Sequence, residues 1–575
     1  MISSIRACVP ACCLVMFSFQ LIAQPANRFD VVIDELMPDP SPPVQLPNYE
    51  FIELKNVSGT AFNLKSWKVS DGSSTATITA NFILKPDSFV IVCSNSAAAA
   101  FASFGRTIGV SNFPSLNNDA DVISLYSAEG RLIHAVGYNS NWYQNAVKSD
   151  GGWSLEMIDT HNPCSGINNW TASTNATGGT PGKINAVNGI NKDDDPPVLY
   201  RTYTADSTSI TAVFDEPLDS ATAANALNYT INNGIGHPAV ASVIAPLYTE
   251  VLLKPVTPLN KGTVYELTIT NVTDCAGNVI AQFNTTKAGL PSPADSFGIV
   301  INEILFNPKP GGYDYIELYN RSNKIIDLKQ LYIAARNATN QLTTITQLST
   351  GPYLFYPGEY RVFTENSQWL QQQYLIKDSS VVTLVSSLPS MPDDKGTLVL
   401  LNGQGAIIDE LHYDAKWHFA LIEDKQGVAL ERISYNSATQ DKSNWTSAAA
   451  TAGFGTPGYQ NSQLMADAQV TGQVTVLPTV FSPDNDGWND YATITYQLNE
   501  PGYVANIRIF DSNGRLVRYL VQNATLSTAG SFRWDGLSDK LNKLPVGIYI
   551  VLTELFNLQG KSKKFKHAIT LARRF

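Results

Sequence analysis

The densest run of oxygen-bearing side chains is Asp484-Asn485-Asp486-Gly487-Trp488-Asn489-Asp490. Calcium takes about six to eight hard oxygen ligands, and Asp and Asn packed around a glycine turn can supply several of them. Asp484, Asp486, Asn489 and Asp490 are therefore candidate Ca²⁺ ligands, and Ca²⁺ is the one cofactor the sequence suggests. Counting from Asp484, the twelfth position is Thr495. An EF-hand would need a bidentate Glu there, so no helical EF-hand is implied. The same residues equally suit a turn whose Asp and Asn side chains bond their own backbone. Both readings stay open.

The remaining chemistry-bearing residues are spread out. Glu35, Glu53, Glu303 and Glu317 each sit inside an apolar run. Paired carboxylates can act as a glycosidase acid and base. Here the same residues recur in two places, which suits a fold role such as accepting backbone N–H bonds. The six histidines show no H-E-x-x-H or Cys/His spacing, and no Gly-x-Ser-x-Gly elbow is present. No catalytic residue is assigned, and the chain reads as not an enzyme. Three of the six cysteines, Cys8, Cys12 and Cys13, lie in the first 13 residues. Of the others, Cys93 and Cys164 fall in one predicted domain, either bridged as a disulfide or left as two buried thiols. Cys275 has no partner in its own domain and reads as a buried thiol.

These residues need elements to position them, and an internal repeat supplies the plan. Val31-Val32-Ile33-Asp34-Glu35-Leu36 matches Ile299-Val300-Ile301-Asn302-Glu303-Ile304. Tyr49-Glu50-Phe51-Ile52-Glu53-Leu54-Lys55-Asn56 matches Tyr313-Asp314-Tyr315-Ile316-Glu317-Leu318-Tyr319-Asn320. Asn169-Trp170 and Gly179-Thr180-Pro181-Gly182 return as Asn444-Trp445 and Gly455-Thr456-Pro457-Gly458. The offset drifts between 264 and 276, which places insertions in loops. Short alternating runs such as 120–126, bounded by Gly, Pro, Asn and Asp, predict strands. The best helical window is 366–374. Trp142, Trp417, Trp170 and Trp445 repeat between the copies and read as core. Trp67, Trp153, Trp369 and Trp488 do not repeat, and some of them could be exposed platforms for glycans.

The repeated motifs resemble the lamin-tail domain in its secreted bacterial form, which implies an immunoglobulin-like sandwich. "F-D-E-P-L-D" at 214–219 and "D-x-x-G-N" at 274–278 resemble bacterial Ig-like modules, whose acidic residues would cap turns. The region around 480–490, Trp534-Asp535-Gly536 and Gly547-Ile548-Tyr549 resemble FlgD-type Ig-like modules and gliding-associated C-terminal domains. That last resemblance implies passage across the outer membrane by the type IX machinery as a partner. The basic tail from Lys561 to Phe575 departs from the pattern and reads first as an edge strand blunted by lysine.

The chain of 575 residues is thus read as all-β, a tandem array of Ig-like β-sandwich domains after a cleaved signal peptide. The boundaries are 1–23 signal peptide, 28–186 first copy, 193–290 Ig-like spacer, 297–461 second copy and 466–575 sorting-type domain. Arg6, the apolar run Val9 to Ile22 and Ala23 carry the secretory layout. That run is shorter than the ~20 apolar residues a membrane span needs, and no second run reaches that length. With 39 basic against 50 acidic residues and a net charge of −11, nucleic-acid binding over the whole surface is disfavoured. The expected protein is secreted or surface-displayed, and it binds an extracellular protein or glycan or acts as a spacer. The alternative is an accessory hydrolase acting on polysaccharide or extracellular nucleic acid.

Overall fold

The computed structural model describes residues 25–419, 422–449, 452–464, 472–498, 503–526, 529–557 and 561–573. The expected signal peptide, with Cys8, Cys12 and Cys13, lies outside these residues. The chain forms two compact units. One comprises residues 1–292 with 352–354, and the other 293–351 with 355–575.

The first unit opens with a two-sheet sandwich. Its six-stranded sheet runs Trp170–Ala172, Leu155–Met157, Val31–Met37, Phe51–Asn56, Phe89–Ser94 and Thr107–Val110. The facing sheet runs Leu132–Asn139, Ala120–Tyr126, Lys68–Ser70 and Thr75–Thr77. Alternation explains the core: Ile52, Leu54, Val90, Val92, Ile123 and Leu125 point between the sheets. Their neighbours Phe51, Ile91 and Cys93 point outward, under Phe101 of a short helix. Val31–Met37 is buried along its whole length because both of its faces are covered. One irregularity matters below. A bulge between Ile33 and Glu35 leaves Asp34 without a partner in the register, so the alternation slips by one residue there.

An Ig-like module completes the unit. Its sheets are Leu199–Tyr203, Ile210–Phe214, Glu250–Lys254 and Val240–Ile244, packed on Tyr229–Ile231, Tyr265–Ile269 and Thr285–Ala288.

The second unit repeats the first sandwich. Val382–Leu384, Tyr360–Thr364, Tyr315–Asn320, Ile299–Leu305, Leu430–Arg432 and Trp445–Ser447 form the larger sheet, with the bulge again between Ile301 and Glu303. The helix expected over 366–374 is Ser367–Gln373, capped by Asn366, whose side-chain Oδ1 accepts from Trp369 N–H at 2.8 Å. The last module pairs a three-stranded sheet with a five-stranded one around Trp534, Phe481 and Tyr549. Within the five-stranded sheet, Ser562–Leu571 has Gly547–Asn557 as its neighbour for most of its length. On its other side, among the described residues, only Thr570 and Leu571 are in register with a neighbour, Val480–Phe481. Lys563, Lys564 and Lys566 therefore line an open edge, where lysine discourages pairing with another chain.

Candidate functional site

The recurring glutamates meet on the outer face of each six-stranded sheet. Glu35 stands opposite both Glu53 and Glu156 in the register, and Glu303 stands opposite Glu317 and Glu431. All six are fully buried, because the Gly-Thr-Pro-Gly segment folds over them. Thr180 donates its N–H to Glu35 Oε1 (2.9 Å) and its hydroxyl to Glu156 Oε1 (2.7 Å), and Gly182 N–H donates to Glu53 Oε2. Thr456 does the same for Glu303 (2.9 Å) and Glu431 (2.8 Å), and Gly458 N–H for Glu317 (2.6 Å). Gly182 is required for this approach. Its φ is 80°, and a Cβ there would lie 2.5 Å from the Phe104 carbonyl oxygen. The glutamates therefore accept backbone and hydroxyl bonds, the fold role that their recurrence suggested. Burial, reinforced by the neighbouring carboxylates, raises the Glu35, Glu53 and Glu317 carboxyls well above their ordinary range and Glu303 to about 8.

The Asn of each Asn-Trp pair pins a turn. Asn169 Nδ2 donates to the Asp159 and Asn162 carbonyls, and Asn444 Nδ2 to those of Ser434 and Ser437. Trp142, Trp170 and Trp445 are core residues, while Trp417 is half-buried. Trp67, read as a candidate platform, is buried against Phe62. Trp153 and Trp369 are half-buried, and Trp488 is 74% exposed.

The expected Cys93–Cys164 bridge is corrected. Cys164 is bonded to Cys275, with their Cα atoms 6.2 Å apart, and Cys93 is a free buried thiol. The reason is placement. Cys93 is on a strand within the apolar cluster of Met37, Phe51, Ile91 and Phe101. Cys164 lies in a turn at the opposite end of its module, against the turn that carries Cys275. Assigning partners within single domains missed a bond between domains. Burial pushes the Cys93 thiol up to about 11.

The oxygen-rich turn at 484–490 places carboxylate oxygens of Asp484, Asp486 and Asp490 within 4.8 Å of one another. The same carboxylates also accept local backbone bonds. Asp490 takes Asn485 N–H (2.7 Å) and Gly487 N–H (2.9 Å), and Asp486 takes Trp488 N–H (2.8 Å). Asn489 adopts a left-handed conformation, and its carbonyl accepts from Ser482 N–H at 2.9 Å.

A second acidic group was not singled out from the sequence. Asp193, Glu216 and Asp274 bring carboxylate oxygens within 4.8 Å where the first sandwich meets the Ig-like module. Asp274 caps its own turn, accepting from Gly277 N–H (2.7 Å) and Asn278 N–H (2.9 Å). Burial, and then the charges of Asp193 and Asp274, push Glu216 up to about 9. A cavity of about 630 Å³ opens beside it, lined by Asp193, Asp195, Asp215, Glu216, Ile167 and Phe283. The signal lay in Asp193-Asp194-Asp195 and Asp215-Glu216, but only the tertiary contact brings the two segments together.

The duplicated sandwiches, with their matched glutamates and loops, correspond to a known module. Residues 24–140 and 292–415 match the Lamin Tail Domain. The chain carries two lamin tail domains. Between them, residues 196–287 match a bacterial Ig-like domain, and residues 475–571 match the CHU_C Type IX secretion signal domain. Each lamin tail match ends before the strands that complete its larger sheet, at 155–172 and 430–447. No curated protein matches the chain.

Among solved structures, the N-terminal part of the bacterial S-layer protein SbsC aligns at 16% identity over 28% of this chain and 44% of its own, with a TM-score of 0.16. The chain thus spans under half the length of that S-layer fragment. A DUF4876 family protein from Bacteroides thetaiotaomicron aligns at 12% identity over 42% of this chain and 88% of its own, with a TM-score of 0.18. A tetra-tandem repeat from the extending region of a large adhesion protein aligns at 11% identity over 95% of this chain and 99% of its own, with a TM-score of 0.14. At these scores the superpositions carry no argument about function.

Proposed function

We propose that this chain is an exported, surface-displayed or released protein that works by binding or spacing through its modular sandwiches, and not by catalysis. The observation that carries this reading is the Type IX secretion signal match at 475–571, on a module with its own core of Ile507, Ile509, Trp534, Val551 and Ile569. The Cys164–Cys275 bridge supports it, because disulfides persist in oxidising compartments. The recurring glutamates sit beneath loops and accept structural hydrogen bonds, which suits scaffolding. No helix among the described residues is long and apolar enough to cross a membrane. Loops displayed on rigid sandwiches would carry recognition of a protein or glycan.

The test is export. The full chain, expressed in a type IX-competent host, is expected in the outer-membrane or medium fraction. A version lacking 472–573 is expected to stay in the periplasm. Equal export of both would overturn the reading.

Calcium binding at Asp484, Asp486 and Asp490 belongs to the same proposal, with Ca²⁺ stabilising the turn of the C-terminal module. Ligand at about a hundred times its Kd adds about 2.7 kcal/mol to the bound state. Millimolar Ca²⁺ is therefore expected to raise the melting temperature of the C-terminal module by several degrees in the full chain, and Asp486→Asn to abolish the gain. An unchanged melting curve would remove calcium from the proposal.

A further inference from the structure

The two lamin tail domains differ at the residue that occupies the bulge. In the second copy, Asn302 donates its amide to Glu317 Oε1 (2.7 Å) and to Asn461 Oδ1 (2.6 Å). In the first copy that position is Asp34, and the acceptors corresponding to those two, Glu53 Oε1 and Asn185 Oδ1, are buried without a partner. A second difference adds to this. Tyr315 donates its hydroxyl to Glu303, whereas Phe51 offers nothing to Glu35, whose Oε2 is also orphaned. Three buried acceptors thus lack donors in the first copy, at a site with one carboxylate more than the second. An ionised carboxylate only accepts hydrogen bonds, whereas a protonated one also donates.

We propose that Asp34 and Glu53 share a proton in the folded chain, the Asp34 carboxyl O–H donating to Glu53 Oε1 where Asn302 uses its amide. Loss of that proton leaves two carboxylates facing each other and loosens the 178–187 segment that covers them. The first lamin tail domain thereby becomes a module that opens as pH rises. The groups facing Asp34 are Glu35 on its own strand, Glu53 and Lys55 on Phe51–Asn56, Glu156 on Leu155–Met157, and the neutral Asn185. His134 sits behind Ile33, accepting its N–H at 2.9 Å, and burial holds its ring neutral at about 3. Lys55 is the one cation among these groups, and its amino group is engaged by the Thr160 hydroxyl at 3.1 Å.

The direction of the pH effect follows. Burial raises Asp34 to about 7, and it lifts Glu35 and Glu53 well above the ordinary carboxylate range. The folded state then holds protons that the unfolded chain has released, so stability falls as pH rises from the ordinary carboxylate range through about 7.

Hydrogen exchange on the full chain at about pH 5 and about pH 8, corrected for intrinsic rates, tests the idea. Protection of residues 178–187 is expected to drop roughly tenfold or more at the higher pH, and to drop more than that of 454–463. Asp34→Asn supplies a permanent donor, so it should flatten the drop and remove a protonated-carboxyl C=O band from the infrared spectrum. Should that variant fail to fold, Asn302→Asp is the reciprocal test and should confer the same pH sensitivity on 454–463. Equal protection at both pH values, a drop unchanged in Asp34→Asn, or an unaltered second copy in Asn302→Asp would overturn the proposal.

Discussion

Replacing Arg432 by methionine is expected to destabilise the second lamin tail domain by about 3–5 kcal/mol. Arg432 is fully buried, on the inner face of its sheet. Its Nε donates to the Ile301 carbonyl (2.9 Å), its Nη1 to that of Ser437 (2.9 Å), and its Nη2 to the Thr439 hydroxyl (2.5 Å). Nη2 also faces Asp409 Oδ2 at 3.4 Å. Burial lowers the guanidinium to about 10, so it remains charged at neutral pH, and it opposes the upward pull of burial on Asp409.

Removing Arg432 leaves the Asp409 charge in the core without a cation, held by the Thr439 hydroxyl and by the N–H groups of Ile301 (2.8 Å) and Glu410. The first copy shows the neutral solution. There the corresponding positions are Met157 and His134, and His134 Nδ1 accepts the Ile33 N–H in place of a carboxylate. Arg432→Met with Asp409→His should therefore recover most of what Arg432→Met alone loses, because no uncompensated charge remains. Chemical unfolding followed by exchange protection in 299–305 measures both. A single substitution costing under about 1 kcal/mol, or a double no better than the single, would show that the pair is not coupled as described.

The second large effect concerns the bridge. Cys164 and Cys275 are separated by 111 residues. In the chain-entropy account, closing a loop of about a hundred residues restricts the unfolded chain by about 4–5 kcal/mol. Reducing the bond, or making Cys164→Ser with Cys275→Ser, is expected to lower the stability of the first unit by about 3–4 kcal/mol, less than the full value because unfolded chains keep some structure. The bridge also holds together the segments that form the acidic group. Asn278 Nδ2 donates to the Asp193 carbonyl at 3.1 Å, and Ser165 donates to the Asp193 carboxylate at 2.7 Å. Calorimetry of the oxidised chain should show the first lamin tail domain and the Ig-like domain melting together, and the reduced chain should show them melting apart. Identical melting profiles would show that the bond does not couple the two domains.

Much of the fold was legible because its signals are local. Alternation over 120–126, the helical window at 366–374 and the duplicated Gly-Thr-Pro-Gly each act within a few residues. The pattern of the recurring glutamates correctly suggested acceptors of backbone hydrogen bonds. What covers them was not legible, because Gly182 and Glu53 are far apart in sequence and meet only when the loop folds over the sheet. The bulge at Asp34 was equally hidden. Strict alternation would point Asp34 and Glu35 to opposite faces, yet one unpaired residue turns both outward, into one buried group.

The sequence by itself determined the all-β class, the duplication, the intervening Ig-like module and the positions of the oxygen-rich turn, since each rests on residue type and spacing. The tertiary structure alone decided the partner of Cys164, the acidic group at Asp193, Glu216 and Asp274, and the protonation demand at Asp34. Those depend on which distant segments are brought together and on whether a buried acceptor finds a donor there, and neither is encoded in any single stretch of chain.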